Sequence, residues 1–212
     1  MKSLGSWAVL AACAMLFGGP AVAGDIVPHD GDPYSALVAR AEADDATVDF
    51  KAMRFAWLDS AARKREPDLS VATKAMWEAA RANDAAAARA AAEKIIAAHY
   101  TDFEAHKFRR QSCVLLKDTA CSDHEHFVEF GLLNSIVKGG DGKTPETAWV
   151  VAEISEEYAM MRILQVQLKL QSLINRNGRT YDEMTVVGED GKEQALWFDI
   201  SVAITKEFPG LS

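Results

Sequence analysis

The sequence predicts an α+β fold: alanine-rich helical hairpins followed by a small antiparallel β-sheet with one helix. Three observations carry that expectation. Apolar residues recur at helical spacing through most of 34–137. Two breaks in this pattern, Asn83-Asp84 and Lys117-Asp118, lie 34 positions apart, which is the length of a tetratricopeptide repeat. After Gly139 the spacing changes to alternation punctuated by turn signals.

The N-terminus, MKSLGSWAVLAACAMLFGGPAVAGD, has one charge, Lys2, before Asp25, an apolar run from Trp7 to Phe17, and small residues Ala21, Val22 and Ala23. This is the anatomy of a secretory signal over 1–23, cut after Ala23, and the run is too short to span a membrane. Leu10-Ala11-Ala12-Cys13 also resembles a lipobox, which would anchor Cys13 to lipid. The chain stays apolar after Cys13, so ordinary cleavage is favoured. The expected location is the bacterial periplasm or the exterior. Residues 24–33, with Pro28, Gly31 and Pro33, read as a flexible leader.

A helical, tetratricopeptide-like region is expected over 34–138. Tyr34, Leu37, Val38 and Ala41 share a helix face, as do Phe50, Met53 and Trp57 in a second helix over 49–58. The charged stretch AARKREPD reads as a linker. Helices follow over 70–82, 85–98, 103–116 and 123–137, with Asp84 and Ser122 as caps. Alanine in AAAARAAAEKIIAA raises helix propensity and lets neighbours approach closely. Ala88 and Ser122 supply the small residue four positions after each break.

An α+β region packed on the helical half is expected over 139–212. AWVVAEI is a strand candidate. Ser155 would cap a short helix over 156–164, and Glu156-Glu157 suit its positive N-terminal end. Val166, Leu168 and Leu170 alternate, predicting a strand with one buried face. Asn177-Gly178 is a turn, and strands over 181–187 and 194–200 flank the hairpin signal Glu189-Asp190-Gly191.

The balance of charge excludes some partners. The 212-residue chain carries a formal net charge of −8. Loss of the signal removes one lysine and makes it one unit more negative. An acidic chain without a basic stripe is a poor nucleic-acid binder. Two cysteines outside the signal, Cys113 and Cys121, are expected to pair as a staple across a helix turn. The alternative, a redox pair, lacks the C-x-x-C spacing.

Three motifs invite chemistry and are weaker than they look. GGDGKT lacks the first glycine of a phosphate loop, since Val137 stands there, and it follows a helix rather than a strand. Gly139 and Gly140 end that helix, Asp141-Gly142 turns, and Thr144-Pro145 starts a helical turn. His124 and His126 diverge by about 200° on a helix, so no metal site is expected, although His106 and His126 could approach across a hairpin. Glu156 and Glu157 point in different directions and are not preset for acid–base work. No Gly-x-Ser-x-Gly elbow appears, and no cofactor is implied.

GLLNSIVKGGDGKTPETAWVVAEISEEYAMM resembles the signature of a secreted bacterial family, domain of unknown function 4919. The matching positions are Gly131, Leu132, Ser135, Ile136, residues 140–144, Glu146, Thr147, Ala148, Glu156, Glu157 and Tyr158. His106 and His126 also match, as do Tyr181-Asp182 and Phe198-Asp199. Ala152-Glu153 interrupts the valine-rich strand of that pattern. The resemblance covers roughly 37–202 and implies fold and export, with no reaction attached.

Two functions remain in view. Repeat-like hairpins can stack into a concave surface for a protein or peptide partner. Alternatively, a hydrolase-type or other enzyme would have its site at the seam between helices and sheet. His106, His126, Asp141, Lys143, Glu157 and Tyr158 are the candidates for either, with no catalytic residue assigned. A binding module predicts that these groups bond one another and close the seam. An enzyme predicts an open pocket faced by at least two of them.

Overall fold

The structure, a computed structural model, describes residues 31–208. The expected signal, the Cys13 lipid site and the leader up to residue 30 lie outside the described residues. Pro33, expected in the leader, is instead the first residue of helix α1 (Pro33–Glu42), whose first turn is capped by Asp32. Asp49 caps α2 (Phe50–Trp57) by accepting from the Ala52 amide at 2.9 Å. The charged linker contains one short 3₁₀ turn, Arg63–Arg65.

Helices α3 (Ser70–Arg81), α4 (Ala85–Ala98), α5 (Phe103–Leu115) and α6 (Thr119–Val137) pack in sequence, each against the next. The two breaks are built alike. Asn83 and Lys117 both have positive φ, +56° and +59°. In each, the following aspartate amide reaches back five residues, Asp84 to Ala79 and Asp118 to Cys113. That is the bond pattern of a Schellman helix end, made here without glycine. Asp84 and Asp118 then cap the next helices. Ser122 is therefore not the cap of α6. Asp118 accepts from the Cys121 amide, and the helix starts earlier than expected. The Cys113–Cys121 disulfide is formed, with Cα atoms 5.9 Å apart.

The C-terminal part has strands β1 (Trp149–Val150), β2 (Gln167–Arg176), β3 (Arg179–Val187) and β4 (Glu193–Asp199), in the order β1-β4-β3-β2. The sheet is mixed: β2, β3 and β4 are antiparallel, but β1 runs parallel to β4. The strand expected over 148–154 shrinks to two residues, because the chain bends after Val150 and Glu156 takes the Ala152 amide at 2.7 Å. Helix α7 (Ile154–Ile163) starts beside Glu153, not at a Ser155 cap. A second helix, α8 (Ser201–Glu207), follows β4, where the sequence predicts none. Nor is there a buried face on β2. Leu168 and Leu170 are 41% and 59% exposed, since β2 is the edge strand and a bulge between those residues shifts its register.

Two apolar clusters form. Tyr34, Val38, Met53, Trp57, Ile95, Val128 and Leu132 belong to the helical one. Trp149, Met160, Met184, Leu196, Phe198 and Ile200 belong to the sheet one. Helix α6 serves both, with Leu132 in the first and Ile136 in the second. No helix among the described residues is long and apolar enough to cross a membrane.

Candidate functional site

A groove of about 770 Å³ runs between the start of α2 and the outer face of α6. Asp49, Phe50 and Lys51 form one wall, and His126, Phe130 and Lys138 the other. Gly131 makes the groove's floor possible. A Cβ there would lie 2.2 Å from the Phe50 ring, so any other residue would have to displace that ring. Phe50 in turn meets Phe127 edge-on at 5.4 Å. Phe130 stacks on His126 at 5.7 Å and is 54% exposed. Of the six sequence-chosen residues, only His126 lines this groove.

His106 goes elsewhere. It is fully buried, with Nδ1 2.7 Å from Glu125 Oε2 and Nε2 2.6 Å from the Tyr100 carbonyl. Arg109 donates to the other oxygen of Glu125 at 2.5 Å. Burial alone would raise the Glu125 pKa, but His106 and Arg109 outweigh it and hold the carboxyl below its ordinary range. His106 and His126 therefore serve opposite sides of α5 and α6 and form no pair.

Asp141 and Lys143 belong to a turn that ties α6 to the sheet. Gly142 has φ +67°, and a Cβ there would lie 2.8 Å from the Trp149 ring. Its amide donates to the Thr147 carbonyl and its carbonyl accepts from the Trp197 amide, both at 2.8 Å. Asp141 accepts from Thr147 Oγ1 at 2.6 Å, while the exposed Lys143 ammonium lies 3.3 Å from the same carboxylate.

The seam between the helices and the sheet holds buried charges outside those six residues. Arg54 of α2 is 1% exposed and forks onto Glu156 of α7, with Nε 2.6 Å from Oε1 and a second contact from Nη2 to Oε2. It also donates to Ser135 Oγ at 3.1 Å and to the Val150 carbonyl at 3.2 Å. One guanidinium thus joins α2, α6, β1 and α7. Nearby, His99 stacks on Trp57 at 4.1 Å. Its two nitrogens lie 3.1 Å from Glu66 and 3.1 Å from Glu153. Burial disfavours the charged ring, yet the two carboxylates outweigh it and lift its pKa to about 10.

Glu157 faces the other way. It is fully buried, and neither carboxyl oxygen has a hydrogen-bond partner. Burial first, and the neighbouring Asp182 carboxylate second, push its pKa up to about 9. Burial raises Asp182 as well. Gln171 donates to Asp182 at 2.5 Å, and the Tyr158 hydroxyl donates to Gln171 at 3.3 Å. Tyr158, Gln171 and Asp182 thus form one polar chain beneath β2, and the Glu157 carboxyl, with its pKa raised to about 9, lies beside it. Both glutamates stand in the first turn of α7, as the dipole reading expects, but both are also buried: Glu156 meets the Arg54 guanidinium, while Glu157 lies beside a second carboxyl.

A signal for Arg54 was present. It stands at i+4 on the face formed by Phe50, Met53 and Trp57, and a lone arginine on a core-facing stripe needs a buried acid. Glu125 is similar, in register with Val128 and Leu132. Among the described residues, Cys113, Asp118 and Cys121 are grouped closely enough to hold a metal ion, but both sulfurs are taken by the disulfide.

No curated protein and no solved structure matches the chain. A family pattern described as "Domain of unknown function (DUF4919)" matches residues 32–208. It therefore takes in α1 to α8, the Gly131 contact, the 139–147 turn, the Arg54–Glu156 seam and the Glu157–Asp182 pair together. On that match the chain belongs to the DUF4919 family.

Proposed function

We propose that this protein is an exported binding or scaffold module, and that a peptide or protein segment sits in the groove between α2 and α6. The observation that carries the reading is Phe130. Its ring is 54% exposed, stacked on His126, and set over a groove large enough for several side chains. Exposed aromatics beside a preformed groove are the usual anchors of an interface. Lys51 and Lys138 line the groove with Asp49 and Asp123, so it offers both signs of charge to an extended chain's backbone ends and side chains.

Export is supported by the signal-like N-terminus and by the Cys113–Cys121 disulfide, which persists in oxidising compartments. The matched helix breaks 34 positions apart support the tetratricopeptide-like reading of α3 to α6. A second reading, an enzyme with paired acids at the seam, draws on Glu157 and Asp182. It needs an opening to solvent, and those residues are 0% and 3% exposed.

The test is selection of peptides by display against the purified protein, followed by titration of the best binder. Phe130→Ala should weaken binding by about 30-fold, roughly 2 kcal/mol for an aromatic anchor, with an unchanged melting curve. Failure to enrich any peptide, or equal affinity of the variant, would overturn the proposal.

A further inference from the structure

The outer edge of β2 is the second surface without a partner, and it is independent of the groove. β2 is ten residues long and lies at the end of the sheet order, paired on one side to β3. No other described residue hydrogen-bonds to its free edge. Proteins blunt such edges with bulges, lysines and prolines. Here a bulge between Leu168 and Leu170, with Lys169 in it, protects one end. From Leu170 to Asn175 the strand has no bulge, no charge and no proline. Leu170 and Leu173 are 59% and 56% exposed on its two faces.

We propose that this edge pairs antiparallel with the same edge of a second copy, centred on Ser172, so that two four-stranded sheets become one. The chemistry of the strand selects a second copy over a foreign one. A two-fold at Ser172 puts Leu170 opposite Ile174 twice on one face, and Gln171 opposite Leu173 twice on the other. The charges that flank the stretch also agree. Lys169 is paired with Glu193, and Arg176 lies 3.1 Å from Glu146. Antiparallel pairing about Ser172 sets Lys169 of one copy opposite the uncharged Asn175 of the other, and Arg176 opposite Leu168. Parallel pairing would set Lys169 on Lys169, which is unfavourable. The opposite edge of the sheet, β1, has two residues. It is too short to continue the ladder, so the assembly closes as a dimer and does not grow into a fibre.

Light scattering on the purified protein tests this directly. The expected mass is twice that of the chain, falling to one chain on dilution. Leu170→Lys, at an exposed position, should halve the mass at all concentrations while the melting curve stays as in the parent. Ser172→Cys supplies a register test that does not depend on that variant. Across a two-fold the facing Cβ atoms lie about 5 Å apart, so mild oxidation should give a crosslinked dimer, whereas Gln167→Cys should not. Cys113 and Cys121 are already bonded to each other and do not compete. A monomeric parent, a dimer untouched by Leu170→Lys, or equal crosslinking of both cysteine variants would each overturn the proposal. A monomer whose edge takes up an extended peptide would assign it to a different occupant.

Discussion

Glu156 and Glu157 are neighbours on α7 and both are buried, at 8% and 0% exposure, but they face different halves of the molecule. One residue of helix turns the side chain by about 100°. Glu156 thereby reaches the guanidinium of Arg54 and the Ala152 amide, while Glu157 lies beneath the sheet beside another carboxylate, Asp182. The two sites meet the same cost, a carboxyl taken out of water, by different means. The seam on the helical side uses a counter-ion with four acceptors around it. The sheet side uses a proton. Removing the neutralising partner should therefore be costly at the first site and tied to pH at the second.

The largest expected effect is at Arg54. Arg54→Met leaves Glu156 buried without its cation and strips a donor from Ser135 and from the Val150 carbonyl. Breaking a buried pair in this way costs about 3–5 kcal/mol, read as a fall in the denaturation midpoint. Adding Glu156→Gln, which keeps an acceptor for the Ala152 amide, should recover most of the loss. If Arg54→Met unfolds like the parent, charge does not hold the seam.

A smaller effect, with a distinct pH signature, is expected at Glu157. Its carboxyl has an ordinary value of 4.5, raised to about 9 in the folded state by burial and then by Asp182. Between those values the folded chain holds a proton that the unfolded chain has released. This contribution to stability is therefore fully present below pH 4.5 and is lost as pH rises through about 9. His99 adds a slope of the same sign over a higher window, from 6.5 to about 10. The parent should thus lose a few kcal/mol on going from mildly acid to mildly alkaline buffer. Glu157→Gln, a neutral mimic of the protonated acid, should lack the loss between pH 4.5 and 6.5, show about half the parent's slope from there to about 9, and keep the part due to His99. Urea melts across this range decide it, and parallel curves for parent and variant would contradict the assignment.

The contrast between the two glutamates also shows what the sequence could and could not disclose. Helices α1 to α6 were legible because Tyr34, Val38, Phe50, Met53 and Trp57 fall at helical spacing and because Asp84 stands at a break. The Cys113–Cys121 bond and the Gly142 turn were legible for similar local reasons. The C-terminal half was less so. The parallel pairing of β1 with β4 joins Trp149 to Phe198, a contact between distant residues that no local pattern encodes. Leu168 and Leu170 alternate as a buried face would, but the strand's place at the edge leaves them in water. Glu156 and Glu157 look alike in the sequence. Only the partners brought by tertiary packing, from position 54 on one side and 182 on the other, give them different chemistry. His106 and His126 were grouped by residue type, yet one is a bonded core residue and the other lines the groove.

The smallest effect should come from the same chemistry placed in water. Lys143 and Asp141 form an ion pair 3.3 Å apart, with their side chains 75% and 54% exposed. Exposed pairs contribute little, because water already solvates both charges and ordering the lysine costs entropy. Asp141 is held below its ordinary pKa first by the Thr147 hydroxyl and then by the Lys143 amide, with the ammonium a lesser cause. Lys143→Ala removes that ammonium alone and leaves the hydroxyl and the amide in place. The bonds that fix the turn, from Gly142 to Thr147 and from Trp197 to Gly142, are also untouched. Lys143→Ala should therefore shift the melting temperature by less than about 2 °C and leave the peptide binding proposed for the α2–α6 groove as it was. A large drop in stability would mean that the turn depends on charge, as the seam does. An unchanged melt with lost binding would extend the binding site across Gly139 and into the turn itself.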